Sequence, residues 1–331
     1  MTKRTADLYD ADVAVEYYEA RYAQGYMSQW PAAKRQRVSE LVGSLGLPAT
    51  GRALDFGCGN GVFTDVVRQV LGPGWTITGS EISQVALENA RRRFPECRFL
   101  HGDDPTLAAE PYDFFFTHHV LEHVQDLPQT LALLESLMSS PARGVHILPC
   151  GNTGSYLHNL ALLRRDGINL AMENRFFMDE EGHLRRLRTD DLSRHYARLG
   201  YRLAAERYCE HDQGFSAWVT GLGPERVLET FDPGQAVNAA AHRTLSWKRA
   251  AFMALWFLRH QAPMVDEKLT KTDRSLRDYA LLALGLPLYV VSKPVDAWLK
   301  RAPERDWASR SADPRAGEMY LAFERLAAPP G

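Results

Sequence analysis

The sequence predicts an α/β protein in which a doubly wound, mostly parallel sheet follows an N-terminal helical preface and precedes a C-terminal helical extension. Three observations carry this. Short β-rich runs alternate with helix-spaced apolar runs between residues 52 and 148, a rhythm that yields parallel strands joined by crossover helices. The first β-rich run, Arg52-Ala53-Leu54-Asp55, ends on a carboxylate and passes at once into a glycine-rich turn. Beyond about Asp212 the strand signals stop and helical spacing continues alone.

In chain order, residues 14–45 read as helical. Tyr17, Tyr18, Tyr22 and Tyr26 cluster early, and Val38, Leu41, Val42 and Leu45 follow at helical spacing. Gly46, Pro48 and Gly51 punctuate the chain before the first strand. Val62, Val66, Val67 and Val70 mark a helix over 62–71, and 75–82 is the second strand. Ser83 is placed to cap a helix over 83–93 carrying Val85, Leu87 and Ala90, since a serine hydroxyl accepts from the amides of a first turn. Strands follow at 97–100, 112–117 and 145–148, with a helix over 127–138 opened near Pro128. Thr189 and Asp190 start a helix through Leu199, and after Gly200 residues 201–208 return as a strand. The chain divides on this reading into a preface or lid at 1–50, a catalytic domain at 51–212 and an appended helical unit at 213–331. The stretch from Pro303 onward is polar, rich in Ala, Pro, Arg and Glu, and is expected to be loosely ordered.

Composition sets bounds on function. A chain of 331 residues, 45% hydrophobic, holds one large core and a smaller unit. Its formal charge of −2, with bases scattered among acids, lacks the cationic footprint of a duplex-binding protein, so no nucleic-acid partner is expected. Cys58, Cys97, Cys150 and Cys209 show no CxxC spacing, which argues against a zinc site or a disulfide framework. The first seven residues run into charged and aromatic ones without the apolar core of a signal peptide, so a cytoplasmic location is expected.

Ligands of an open parallel sheet bind at the carboxyl ends of its strands. After Leu54 comes Asp55-Phe56-Gly57-Cys58-Gly59-Asn60-Gly61. Its Gly-x-Gly-x-Gly spacing differs from the Gly-x-Gly-x-x-Gly of dinucleotide binders, and a carboxylate two residues ahead repels pyrophosphate while suiting an ammonium. The second strand ends at Glu81, at the separation expected for an acid that accepts from two ribose hydroxyls, with Ile82 next to it. The third ends in Gly102-Asp103-Asp104, where a carboxylate suits an adenine amine. Together these describe an adenosine with a cationic amino-acid tail. A nicotinamide-dependent oxidoreductase would require the other glycine spacing.

These segments, with Val120-Leu121-Glu122-His123-Val124, resemble the class I methyltransferases, in particular the broad branch with quinone and small-molecule O-methyltransferases; the likeness runs from about Tyr9 to Tyr208. The resemblance implies a Rossmann-like fold and S-adenosylmethionine as cofactor. It places Asp55, Gly57, Cys58, Gly59, Gly61, Glu81 and Ile82 at the cofactor, Asp103 or Asp104 at the adenine, and Thr117 or His118 at the methionine end. A partner subunit with the same fold but no catalysis is the non-enzyme alternative, and loss of the glycine turn or of Glu81 would have signalled it.

Methyl transfer to an alcohol or phenol needs alignment and a proton acceptor, for which histidine is suited at neutral pH. Thr117-His118-His119-Val120-Leu121-Glu122-His123 puts several imidazoles at one strand end. His119 and His123 are the leading base candidates, against a capping or packing role, and His183 is a further one. Relatives in the quinone branch resemble this segment with two acids and a histidine where this chain has His119, Glu122 and His123. The replacement of the first acid weakens a metal-assisted reading, and no metal is expected.

Two apolar stretches, 250–258 and 279–291, remain. Each is shorter than the ~20 residues that span a bilayer. The preferred expectation is a helical hairpin buried against the catalytic domain or a dimer partner. Their Trp, Lys and Arg borders over 247–301 also suit peripheral membrane contact, which would make the acceptor lipid-linked or quinone-like rather than a water-soluble small molecule.

Overall fold

The computed structural model describes residues 11–164, 183–221 and 223–325. Helices α1 (Ala11–Ala23) and α2 (Ala32–Gly43) open the chain, parting near Gly25, which has φ 83°, and Pro31. Strand β1 (Gly51–Phe56), helix α3 (Val62–Leu71), strand β2 (Trp75–Glu81), helix α4 (Gln84–Arg93) and strand β3 (Arg98–His101) follow in alternation. Strand β4 (Tyr112–His118), helix α5 (Leu127–Ser136) and strand β5 (Met138–Pro149) complete the parallel part. Ser83 caps α4 as expected, its hydroxyl accepting from the Ala86 amide.

The strands lie in the order β3-β2-β1-β4-β5, then β7 (Glu318–Arg325) and β6 (Tyr201–Cys209). From β1 the chain winds outward through β2 to β3 and crosses back to β4, so the switch point lies between β1 and β4. Ala53 to Asp55 pair there with Phe114 to Phe116. Leu54, Tyr112, Phe114, Phe115, Phe116, Val145 and Ile147 are buried in the sheet; near-continuous apolar runs of this kind mark strands covered on both faces.

The far edge of the sheet corrects the sequence reading. After helix α7 (Thr189–Arg198) and strand β6 (Tyr201–Cys209), the stretch expected to be a loose polar tail supplies strand β7 (Glu318–Arg325). It runs antiparallel to β5, from Pro149↔Glu318 to Ala142↔Arg325. Five consecutive apolar residues, Met319 to Phe323, are buried there, and burying them outweighs the polar character of the surrounding segment.

A second compact unit comprises the described parts of Gly151–Gly167 and Tyr208–Gly317. It is helical: α6 (Gly154–Leu162), α8 (Asp212–Gly221), α9 (Pro224–Thr230), α10 (Ala239–Thr270), α11 (Leu276–Lys300) and α12 (Ala302–Arg310). Helices α10 and α11 form the expected hairpin, joined where Ser275 and Asp278 make a capping box. One expectation fails. The 279–291 stretch is embedded in a 25-residue helix that is, by length and composition, apolar enough to cross a membrane. Its outer face is not buried within this chain, with Leu284 74% and Val290 77% exposed.

Candidate cofactor and acceptor site

The glycine turn is pinned to β2, because the Gly57 and Cys58 amides donate to Ser80 O at 2.8 and 3.0 Å. Gly57 has φ 74°, and a Cβ there would lie 2.5 Å from Val120 Cγ2, so both conformation and space demand glycine. Gly59 and Gly61 continue the turn into α3, with Gly61 as its N-cap. Asp55 is buried beneath, accepting from the Thr64 hydroxyl at 2.6 Å, and burial lifts its carboxyl to about 7. Burial, then the nearby Asp55 and Glu81 carboxylates, push the Cys58 thiol well up, so it is no nucleophile.

Glu81 stands at the end of β2. Its carboxylate accepts from the amides of Gly59 at 2.9 Å, Ile82 at 2.8 Å and Ser83 at 3.1 Å. Burial raises its pKa, opposed by these amides. An acid held in place by three backbone donors at this strand end fits the ribose of S-adenosylmethionine. Ile82 beside it is 42% exposed, an apolar face for a flat base. Of the two candidate acids after β3, Asp104 caps the short turn Pro105–Ala108 through the Thr106 amide at 2.8 Å, and Asp103 pairs with His101.

Strand alternation separates the next two candidates. The Thr117 hydroxyl bonds His146 Nδ1 at 2.7 Å, and His146 Nε2 bonds Tyr196 at 2.7 Å. This buried chain engages α7, away from the glycine turn. His118 faces the other way, its ring 4.0 Å from that of Phe63 and 4.7 Å from that of Trp30. His118 Nε2 is buried without a hydrogen-bond partner among the described residues. Burial, then Lys34 and His119, hold this imidazole well below its ordinary pKa, so it is neutral.

His119 has a positive φ of 54°, fixed by its amide donating to Ile147 O at 2.8 Å. Its Nε2 lies 2.7 Å from Glu318 Oε1 and 3.2 Å from Lys34 Nζ, and its Nδ1 lies 3.5 Å from Glu122 Oε1. Lys34 forms a buried ion pair with Glu318, whose other oxygen accepts from the Tyr320 hydroxyl at 2.6 Å. Arg37 donates to that same hydroxyl at 3.2 Å. Burial opposes ionisation of Glu318, but Lys34, His119 and Arg37 outweigh it and hold the carboxyl well below the usual range. Burial and Lys34 lower His119 despite Glu318. Both ring nitrogens of this leading base candidate therefore already face partners.

His123 shares its Nδ1 with the Tyr18 hydroxyl at 2.9 Å and brings Nε2 to 3.8 Å from Glu122. The His183 ring lies 4.6 Å from that of His123, while the Leu184 amide donates to Glu122 O at 2.8 Å. The three candidate bases thus come together, yet around two carboxylates. Sequence reasoning missed Lys34, Trp30 and Glu318, and also Glu19, which accepts from the Ser83 hydroxyl and the Gln84 amide at the start of α4. An acid there complements the helix dipole and ties the preface to the cofactor edge.

A cavity runs from the glycine turn to His118 and His119. Tyr22, Met27 and Trp30 line it from the preface, Gly57, Cys58, Gly59 and Asn60 from the turn, and Phe63 from α3, with His118 at the end of β4 and His119 just beyond it. A family profile described as a methyltransferase domain matches residues 22–206, a span holding the turn, Glu81 and the histidine segment. The chain belongs to this methyltransferase family, in its class I, S-adenosylmethionine-dependent form. It is similar to the trans-aconitate 2-methyltransferase of an Enterobacter species, with 32% identity over 32% of this chain and 44% of that protein. The Methylobacterium nodulans protein of the same name is 33% identical over 36% of this chain and 48% of its own length. The chain thus spans under half the length of these curated relatives. Among solved structures, the Synechocystis magnesium protoporphyrin IX methyltransferase with bound S-adenosylhomocysteine is 19% identical over 60% of this chain and 92% of that one, with a TM-score of 0.43.

Metal ligation divides differently from the sequence reading. Ligand atoms of His118, His119 and Glu318 approach one another, as do those of Glu122, His123 and His183. A divalent ion at the first group would face the Lys34 ammonium, 3.2 Å from His119 Nε2, which disfavours it. The second group has suitable ligand types.

Proposed function

We propose that this methyltransferase transfers a methyl group to an oxygen of a small, largely apolar acceptor, with His118 receiving the acceptor's proton. S-adenosylmethionine supplies the electrophilic methyl carbon when bound. The observation that carries the reading is His118 itself: a neutral imidazole on the cavity wall, its Nε2 without a partner among the described residues. It replaces His119 and His123 as the base in this reading, because their ring nitrogens lie against Glu318, Lys34, Glu122 and Tyr18. A weak base suffices here, since the acceptor oxygen becomes acidic only as its bond to the methyl carbon forms.

The walls bear on the acceptor. Trp30, Phe63, Met27 and Tyr22 are aromatic or apolar, and among the described lining residues none is Lys or Arg. Lys34, a buried cation beside His119, is neutralised by Glu318. A polycarboxylate such as trans-aconitate calls for paired cations, so a phenolic or other hydroxylated apolar acceptor fits these walls better.

Isothermal titration should show S-adenosylhomocysteine binding and no comparable binding of NAD; the reverse result would end the reading. His118→Ala should lower turnover ~100-fold or more, the usual effect of losing a general base, with cofactor affinity within a few-fold. Because burial depresses His118, the acid limb of kcat/KM should fall below pH 6.5. A limb above that value, or full activity in His118→Ala, would return the role to another group. Chelation should leave turnover unchanged, whereas a metal-reversible loss would promote Glu122, His123 and His183 to ligands.

A further inference from the structure

Helix α11 is turned inside out for a protein surface. Its buried positions are Asp278, Leu282, Gly285, Ser292, Asp296 and Leu299, half of them polar, whereas a helix at a water interface buries its apolar stripe. The polar groups are satisfied inside the helical unit. Asp296 meets Arg259 at 3.0 Å and Lys300 at 2.6 Å, the Ser292 hydroxyl accepts from the Ala262 amide at 2.7 Å, and Asp278 meets Lys271 at 2.9 Å. These contacts fix which way the helix faces, and the opposite side is apolar. Leu284, Val290 and Val291 are 74%, 77% and 53% exposed. In the most apolar 18-residue window, with mean hydropathy 1.3, only 22% of residues are buried. A continuous face of this size marks an interaction surface.

Charge decides the occupant. Both acids of α11 point inward, while its exposed charges, Arg277, Lys293 and Lys300, are all cations; Lys293 shares Asp266 of α10 at 3.3 Å. A second copy docked by a two-fold axis would set this cationic face against itself. Tyr279 and Trp298, 56% and 49% exposed, flank the apolar face near its two ends, and amphipathic rings of this kind favour the lipid headgroup level. We infer that the outer face of α11 docks in the plane of an anionic membrane surface, with Leu284, Val290 and Val291 in the acyl boundary and Arg277 and Lys293 among the headgroups. The helix lies along the bilayer and does not cross it, because its inner face is fastened to α10 through Arg259 and Ser292.

The test is flotation of the intact protein with vesicles of phosphatidylcholine alone or mixed equally with phosphatidylglycerol. The protein should float with the anionic vesicles, and less so as salt rises. Leu284→Asp with Val290→Asp, at exposed positions, should reduce the floated fraction at least tenfold while leaving S-adenosylhomocysteine binding intact, which keeps this result separate from the fate of the catalytic reading. A protein that stays at the bottom of the gradient with anionic vesicles at low salt overturns the inference. So does a dimer in sedimentation that the same double substitution dissolves, since the face would then belong to a second copy.

Discussion

Glu81→Ala is expected to weaken S-adenosylhomocysteine binding by about 2 to 4 kcal/mol, roughly 30-fold to 1,000-fold, as charge-assisted hydrogen bonds to the ribose are lost. The structure adds a second consequence. The carboxylate accepts from three amides, of Gly59, Ile82 and Ser83, so the variant also leaves the glycine turn and the start of α4 without their shared acceptor. Thermal unfolding without ligand should therefore shift down alongside affinity. Glu81→Gln separates the two effects, since the amide keeps one acceptor oxygen but carries no charge. Calorimetry that finds the affinity of Glu81→Ala unchanged would remove this residue from the cofactor site.

Glu318→Gln is expected to destabilise the fold by about 3 to 5 kcal/mol at neutral pH, the range for breaking a buried ion pair and leaving its partner uncompensated. Lys34 is the partner left behind, and both side chains are almost fully buried. The sign with pH follows from the depressed pKa of Glu318. A carboxylate held below its unfolded value of ~4.3 stabilises above that value, and the contribution fades as pH falls toward the folded value. Urea midpoints of the two proteins should accordingly lie furthest apart near pH 7 and draw together in acid. Replacing both partners, as Lys34→Met with Glu318→Leu, should restore much of the stability, because an apolar pair of similar volume carries no desolvation cost. Equal midpoints for wild type and Glu318→Gln would show that the pair does not act as a buried ion pair.

The two halves of the site differ in how far the sequence disclosed them, and the reason is contact distance. The cofactor half is local. Asp55, the glycine turn and Glu81 fall within 27 residues, each at the end of a strand whose apolar run is visible, and Ser83 caps the helix that its spacing announces. The acceptor half is assembled from afar. Glu318 reaches His119 across 199 residues, and Lys34 reaches His119 across 85. A polar stretch averaged over its whole length hides the five apolar residues that make β7 a buried strand between β5 and β6. Thr117 and His118 differ by one residue, and only the pleat of β4 decides which faces the cavity. Inverted polarity in α11 was likewise beyond reach, because an apolar run by itself does not reveal which side its neighbours occupy.

Strand β7 also imposes an order on how the molecule is made. It lies between β5 and β6, yet the ribosome reaches residues 318–325 more than a hundred residues after β6. Throughout that interval β5 has a bare hydrogen-bonding edge, the kind that recruits strands from other chains, and β6 has no neighbour to join. Closing the sheet depends on a contact of very long sequence separation, which makes it a slow event in folding. A nascent chain halted in that interval would hold the complete cofactor turn while Lys34 still waits for its counter-charge, so premature termination would yield a species marked for aggregation or proteolysis.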